Sequence, residues 1–167
     1  MDRTFLEAGN PRKIAKAYSG LLLPSEIEKI KIEARNHSAS MYALGVHHYR
    51  FAVKVTAPYW RQKISRLYYA SYNVSKSVRF DYDGNHSTDV KDHSKVGALP
   101  NSFPNKATYE NELSTLREDR NSCDYDHLVK ASDLIRSTSE YTRLVTSFLR
   151  DSHDYLIARG VNLGKKI

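Results

Sequence analysis

The chain has 167 residues, 40% of them hydrophobic, and carries 26 Lys and Arg against 19 Asp and Glu, a net charge of +7. This is too apolar for a disordered chain and long enough for one self-sufficient core, and the basic balance suits an anionic partner such as RNA, DNA, a nucleotide or an acidic protein. The single cysteine, Cys123, excludes an intrachain disulfide and a Cys-rich zinc site, while the absence of any apolar run near the ~20 residues of a membrane span leads us to expect a cytoplasmic protein with no membrane segment.

Residues 1–24 are punctuated by Gly9-Asn10-Pro11 and Leu21-Leu22-Leu23-Pro24 and read as an N-terminal arm with a short helix near 11–19. A first long helix is expected from Ser25 to about Thr56. Ser25 would be its N-cap, with Glu28 three positions on. Ile27, Ile30, Ala34, Met41, Leu44, Phe51 and Val55 recur along it at helical spacing, with a drift through 36–40 where it can bend.

Pro58 opens a second helix to about Phe80, on which Ile64, Leu67, Tyr68, Ser71, Val74, Ser75 and Val78 share one face. Small residues at Ala70, Ser71 and Ser75 would admit a close neighbour. Residues 81–105 are rich in turn formers and read as a long loop with a short helix near 91–98.

A third helix is expected over 108–120, with Tyr109, Leu113 and Leu116 inward. The closing helix is expected over 124–159, on a stripe that includes Leu128, Ala131, Leu134, Ile135, Tyr141, Leu144, Val145, Phe148, Leu149, Tyr155 and Leu156. Gly160 stands where a C-cap glycine belongs. No segment alternates with period two, so no strand is expected. The fold class is all-α: a bundle of four long helices plus short pieces over 25–160, followed by a tail at 161–167.

The densest chemistry lies at residues 117–127, REDRNSCDYDH. An arginine such as Arg120 can grip a phosphate through two hydrogen bonds, and a histidine such as His127 can move a proton near neutral pH. Asn121 could hold the phosphate or fix the imidazole. These groups suit attack of an RNA 2′-hydroxyl on its neighbouring phosphate, which needs neither a metal nor a cofactor. The plainer alternative is a set of solvated ion pairs at a helix corner.

Tyr68, Tyr69 and Tyr72, beside Arg61, Lys63 and Arg66, form a basic aromatic strip that could stack bases. Packing of Tyr68 and Tyr72 against the closing helix is the preferred reading. His37, His47 and His48, and the loop residues His86 and His93 among Asp81, Asp83, Asp89 and Asp92, fit packing or a solvated surface better than a metal site.

Four pieces, in order, resemble small bacterial and archaeal HEPN-domain proteins: SRLYYASYNVSKSVRF at 65–80, DVKDHSKVGALPNSF at 89–103, LREDRNSCDYD at 116–126, and the long closing helix. They match that family's Arg-Ala-Tyr-Tyr-Ala helix, its Lys-His-x-x-Val segment and its Leu-x-x-x-Arg-x-x-Ala-Asp-Tyr corner. The resemblance covers roughly residues 35–158 and implies a HEPN-like antiparallel bundle that commonly forms a homodimer. It also implies a metal-independent endoribonuclease, whose motif is an arginine, four to six residues, then a histidine.

On that pattern Arg120 would stabilise the phosphate charge, His127 would be the general acid or base, and Asn121 would orient. Arg117, Tyr125, Asp124 and His93 would bind RNA or support the site. The chain departs from the commoner spacing, which would put histidine at Tyr125, and the Asp-Tyr form of the corner also occurs in family members with no histidine. Implied partners are RNA, a second copy, and a minimal nucleotidyltransferase antitoxin or another subunit of an antiviral defence system. The alternative is a non-catalytic HEPN module that binds RNA, a nucleotide or a protein within a larger complex. Tyr109 and Tyr125 are the candidates for a dimer interface, and Cys123, where the family has a small apolar residue, would be packing.

Overall fold

The computed structural model of the protein describes residues 9–87 and 89–164, the side chain of Val90 excepted. The expected N-terminal arm falls partly, and the end of the expected tail wholly, outside the described residues. Among those residues the chain is all-helical with no strand. It has α1 (Pro11–Ala17), α2 (Pro24–Ala52), α3 (Trp60–Asp83), α4 (Lys106–Tyr125) and α5 (Thr138–Ala158), with short 3₁₀ turns at Ala57–Tyr59, Val90–Lys95 and Ala131–Asp133.

Proline and glycine punctuate these helices as their chemistry requires. Asn10 caps α1, its Oδ1 accepting from the amides of Arg12 (3.0 Å) and Lys13 (3.2 Å), with Pro11 at the first helical position, where no amide is needed. The same side chain donates to the Asp83 carbonyl at 2.6 Å, which ties α1 to the end of α3. That approach depends on Gly84. Its φ is +74°, and a Cβ there would lie 2.2 Å from Asn10 Oδ1.

The first long helix starts at Pro24, and Leu23, not Ser25, is its N-cap. Glu26 Oε2 accepts from the Leu23 amide at 2.8 Å, so the capping carboxylate sits two residues earlier than the Ser25–Glu28 spacing predicts. The helix runs unbroken through 36–40 and stops at Ala52. The β-branched residues Val53, Val55 and Thr56 then lead into Pro58.

α3 packs against α2, α4 and α5 and carries much of the core, including Ile64, Leu67, Tyr68, Val74 and Val78. Leu113 and Leu116 from α4, and Tyr141, Val145, Phe148, Leu149 and Leu156 from α5, complete it. Small residues bring α2 and α3 together. Gly45 faces Ala70 and Val74, and Ser38 and Ser77 exchange hydrogen bonds with each other's carbonyls at 3.0 and 2.7 Å. Buried Asp81 joins three helices by accepting from Arg12 (3.3 Å) on α1 and from Arg159 just beyond α5.

The last connection is longer than the helical stripe predicts. α4 continues to Tyr125, and α5 begins only at Thr138, so Asp124 lies in the last turn of α4 and not in the first turn of the closing helix. Leu128 and Ile135, expected on the buried stripe, are 72% and 61% exposed. Asp126 turns the chain out of α4, its Oδ1 accepting from the Leu128 amide at 2.8 Å. Ser137 starts α5 with a capping box: its Oγ accepts from the Glu140 amide (3.2 Å), and Glu140 Oε2 accepts from the Ser137 amide (2.9 Å). Glu118 and Asp119, expected at the end of the third helix, therefore lie inside α4.

Candidate functional site

α3 presents Tyr68 and Tyr72 one helical turn apart, with Tyr69 beside them. The 3₁₀ turn at Val90–Lys95 lays Asp92 and His93 across this strip. The hydroxyls of Tyr68 and Tyr72 turn to His93 and Asp92, while both residues belong to the buried core that α5 completes. Asp92 is 2% exposed and accepts both Arg79 guanidinium nitrogens, at 3.0 and 2.9 Å, and the Tyr72 hydroxyl at 3.0 Å. Burial alone would raise its carboxyl, but the Arg79 pair and the Tyr72 hydroxyl outweigh burial and hold it below the usual carboxylate range.

Asp92 anchors the 3₁₀ turn and so fixes its neighbour. The His93 ring stacks on Tyr72 with centroids 4.2 Å apart, and its Nδ1 lies 2.8 Å from the Tyr68 hydroxyl. Among the described residues nothing hydrogen-bonds His93 Nε2. Burial, and then the nearby Arg120 charge, push this imidazole below its ordinary value, with Asp92 pulling the other way. Burial likewise pushes the Tyr68 phenol up to about 12, so Tyr68 is a neutral hydroxyl at physiological pH.

Arg120 reaches the same strip from α4. Its Nη2 donates to Tyr69 Oη (2.9 Å) and pairs with Asp124 (2.8 Å), and its Nη1 donates to Asn121 Oδ1 (3.1 Å). The guanidinium carbon stands 5.4 Å from the ring centres of Tyr68 and Tyr69 and 5.8 Å from that of Tyr125. The side chain is 14% exposed. Tyr69 also borders His48 of α2, whose Nδ1 lies 3.3 Å from Arg66.

The structure thus brings together Arg120, Asn121, Asp124, Tyr125 and His93, and places Arg117 close enough for its charge to act on Tyr68. It does not bring His127 to them. His127 is exposed on the connection after α4. No hydrogen bond, ion pair or ring contact joins its side chain to Arg120, and its carbonyl is held by Arg61 at 3.3 Å.

Tyr109 is buried in the core, donating to Asp151 at 2.7 Å, whereas Tyr125 is exposed. Cys123 is packing: it is buried, and burial pushes its thiol up to about 11. Residues that sequence reasoning missed are Arg79 and Lys76, which follow Tyr72 on one face of α3, and Arg61 in its latching role. The 72–76–79 spacing was a readable signal for the first two.

Among the described residues no group of three or more His, Cys, Asp or Glu side chains is placed to hold a metal ion, and no helix is long and apolar enough to cross a membrane. A cavity of about 460 Å³ lies elsewhere, between α1, α2 and the end of α3, and shares no residue with the Arg120 cluster. No family model, curated protein or solved structure matches the chain.

Proposed function

We propose that the protein is a HEPN-like module with an antiparallel helical bundle that binds and cleaves RNA as a homodimer. In this reading it works in the cytoplasm, within a toxin–antitoxin or antiviral system, alongside a minimal nucleotidyltransferase antitoxin or another defence subunit. The observation that carries the reading is the setting of Arg120: a largely buried guanidinium ringed by Tyr68, Tyr69 and Tyr125. A cation among aromatic faces offers a phosphate a charged donor and a base a stacking surface. The net charge of +7 adds general attraction for a polyanion. In cleavage, Arg120 would neutralise the charge gathering on the phosphate, and phosphate would compete with Asp124 for its Nη2.

The test is RNA cleavage by the purified protein in EDTA, with Arg120→Ala alongside. Cyclic-phosphate products that fall about a hundredfold or more in the variant are expected, the scale of losing one transition-state donor. A folded protein that leaves several RNAs intact would remove the nuclease reading. A second reading, a non-catalytic module that binds RNA, a nucleotide or a partner protein, draws support from two observations. Arg120 is already paired with Asp124, and His127 stands apart.

A further inference from the structure

We propose that His93, and not His127, is the group at this site that takes the proton from the ribose 2′-hydroxyl. The inference rests on the RNA-cleaving reading above and names the residue that reading lacks once His127 is found apart from Arg120.

His93 has what a general base needs in position and in hydrogen bonding. Tyr72 holds one ring face, with centroids 4.2 Å apart, and Tyr68 holds Nδ1 at 2.8 Å. The ring is therefore fixed in orientation, and Nε2 is left unclaimed by the described residues. Tyr68 also supports the tautomer that a base requires. Its hydroxyl lies 3.4 Å from the His93 carbonyl, so Nδ1–H can donate to the phenol oxygen while the phenol O–H turns to that carbonyl. Nε2 then carries the lone pair.

Arg120 and His93 share Tyr68 and Tyr69 as neighbours, with the His93 ring centre 5.8 and 6.1 Å from theirs. Arg120 is also near enough for its charge to act on the imidazole, so a phosphate held at Arg120 would lie in the same cluster as His93. The charged and titratable groups facing His93 are Tyr68, Tyr69, Tyr72 and Lys76 of α3, its neighbour Asp92, and Arg120 of α4. Burial and Arg120 keep the ring neutral, and so able to accept a proton, around neutral pH.

In the step itself, the 2′-oxygen forms a bond to phosphorus as its proton passes to Nε2. The bond from phosphorus to the 5′-oxygen breaks, and that oxygen leaves with a proton from water or from the imidazolium. The products are a 2′,3′-cyclic phosphate and a 5′-hydroxyl, with no oxidation or reduction.

The experiment compares wild type, His93→Gln, His93→Ala, His127→Ala and Arg120→Ala on one RNA in EDTA, over a range of pH. His93→Gln should cleave about a hundredfold slower, the usual share of general base catalysis, with RNA affinity and melting temperature close to wild type. Free imidazole should restore part of the His93→Ala rate. His127→Ala should stay within about threefold of wild type, a margin well below that share. In wild type, the acid limb of kcat/KM should coincide with the His93 titration followed by NMR, which tests the idea even where a variant misfolds.

Undiminished cleavage by His93→Gln, an acid limb that does not track His93, or loss of activity in His127→Ala alone would overturn the assignment. Cleavage that needs Arg120 but not His93 leaves the nuclease reading standing. Wild type that cleaves no RNA removes both.

Discussion

Arg61 and Asp119 hold opposite ends of the connection between the last two helices. Arg61 donates to the carbonyls of Cys123 (2.6 Å), Asp126 (2.8 Å), His127 (3.3 Å) and Val129 (2.6 Å). Asp119 accepts from the amides of Ile135 (3.0 Å) and Arg136 (3.4 Å) and from the Tyr141 hydroxyl (2.6 Å). One guanidinium thus satisfies carbonyls that the end of α4 leaves without helical partners, and one carboxylate satisfies amides just before α5. Between them they set the path of residues 126–137, and with it the exposed position of His127.

Arg61→Ala should therefore destabilise the fold by about 2–3 kcal/mol, since charged hydrogen bonds are each worth about 1.5–3 and water can reach part of this loop. Arg61→Lys should recover less than half, because one ammonium cannot span four carbonyls. Urea denaturation measures both. A loss below about 0.5 kcal/mol for the alanine variant would mean that the loop holds its path without the latch.

Asp119 is 3% exposed, so its loss strands its partners away from water. Asp119→Ala should cost about 3–4 kcal/mol, at the scale of buried donors left unsatisfied. Asp119→Asn should cost less, since its Oδ1 still accepts. The two variants should also raise amide exchange at Ile135 and Arg136 before exchange rises in the core of α5. Uniform exchange across α5 in Asp119→Ala would mean that the residue does not act locally.

These two residues show why part of the structure could not be read along the chain. Arg61 acts 62 residues away from Cys123, and no local pattern announces such a contact. The late start of α5 was legible in principle: Ser137 and Glu140 spell a capping box, but Leu128, Ala131, Leu134 and Ile135 happened to extend the helical stripe and drew the start forward. At Pro11 and Gly160 the sequence signal and the structure agree, whereas Pro58, expected to open the second long helix, sits in the 3₁₀ turn before α3 begins at Trp60. The same division runs through the site. Arg120, Asn121, Asp124 and Tyr125 lie on one stretch of α4, so local reading could group them. The pairing of Tyr68 and Tyr72 with His93 depends on how Arg79 and Asp92 seat the 3₁₀ turn on α3.

The contact between α2 and α3 offers a third test. A Cβ at Gly45 would lie 2.6 Å from Val74 Cγ2 and 2.8 Å from the Ala70 carbonyl oxygen. Val74 can shift its methyl, but the carbonyl belongs to the α3 backbone. Gly45→Ala should therefore destabilise by about 1–3 kcal/mol through overpacking, even though alanine is the better helix former. A thermal midpoint equal to or above that of wild type would show that the two helices separate at little cost.

Stability should also fall on mild acidification, and the histidines give the sign. His37, His48 and His93 are all held below their ordinary value of 6.5, in each case mainly by burial. Once pH drops below about 6.5, the unfolded chain binds protons that the folded chain still refuses, so the equilibrium moves toward unfolding. The loss continues until the folded histidines titrate as well. Asp92 does not mask the effect: its carboxyl is depressed, so its contribution stays in full above the ordinary carboxylate range near pH 4. His37 is the clearest contributor, because its Nε2 is buried with no hydrogen-bond partner among the described residues and its ring packs edge-on to Phe80 at 5.0 Å. The urea midpoint should be lower at pH 5.5 than at pH 7.5, and His37→Phe should narrow that gap. A midpoint that holds steady or rises on acidification would mean that these histidines take up protons in the folded protein as easily as in the unfolded chain.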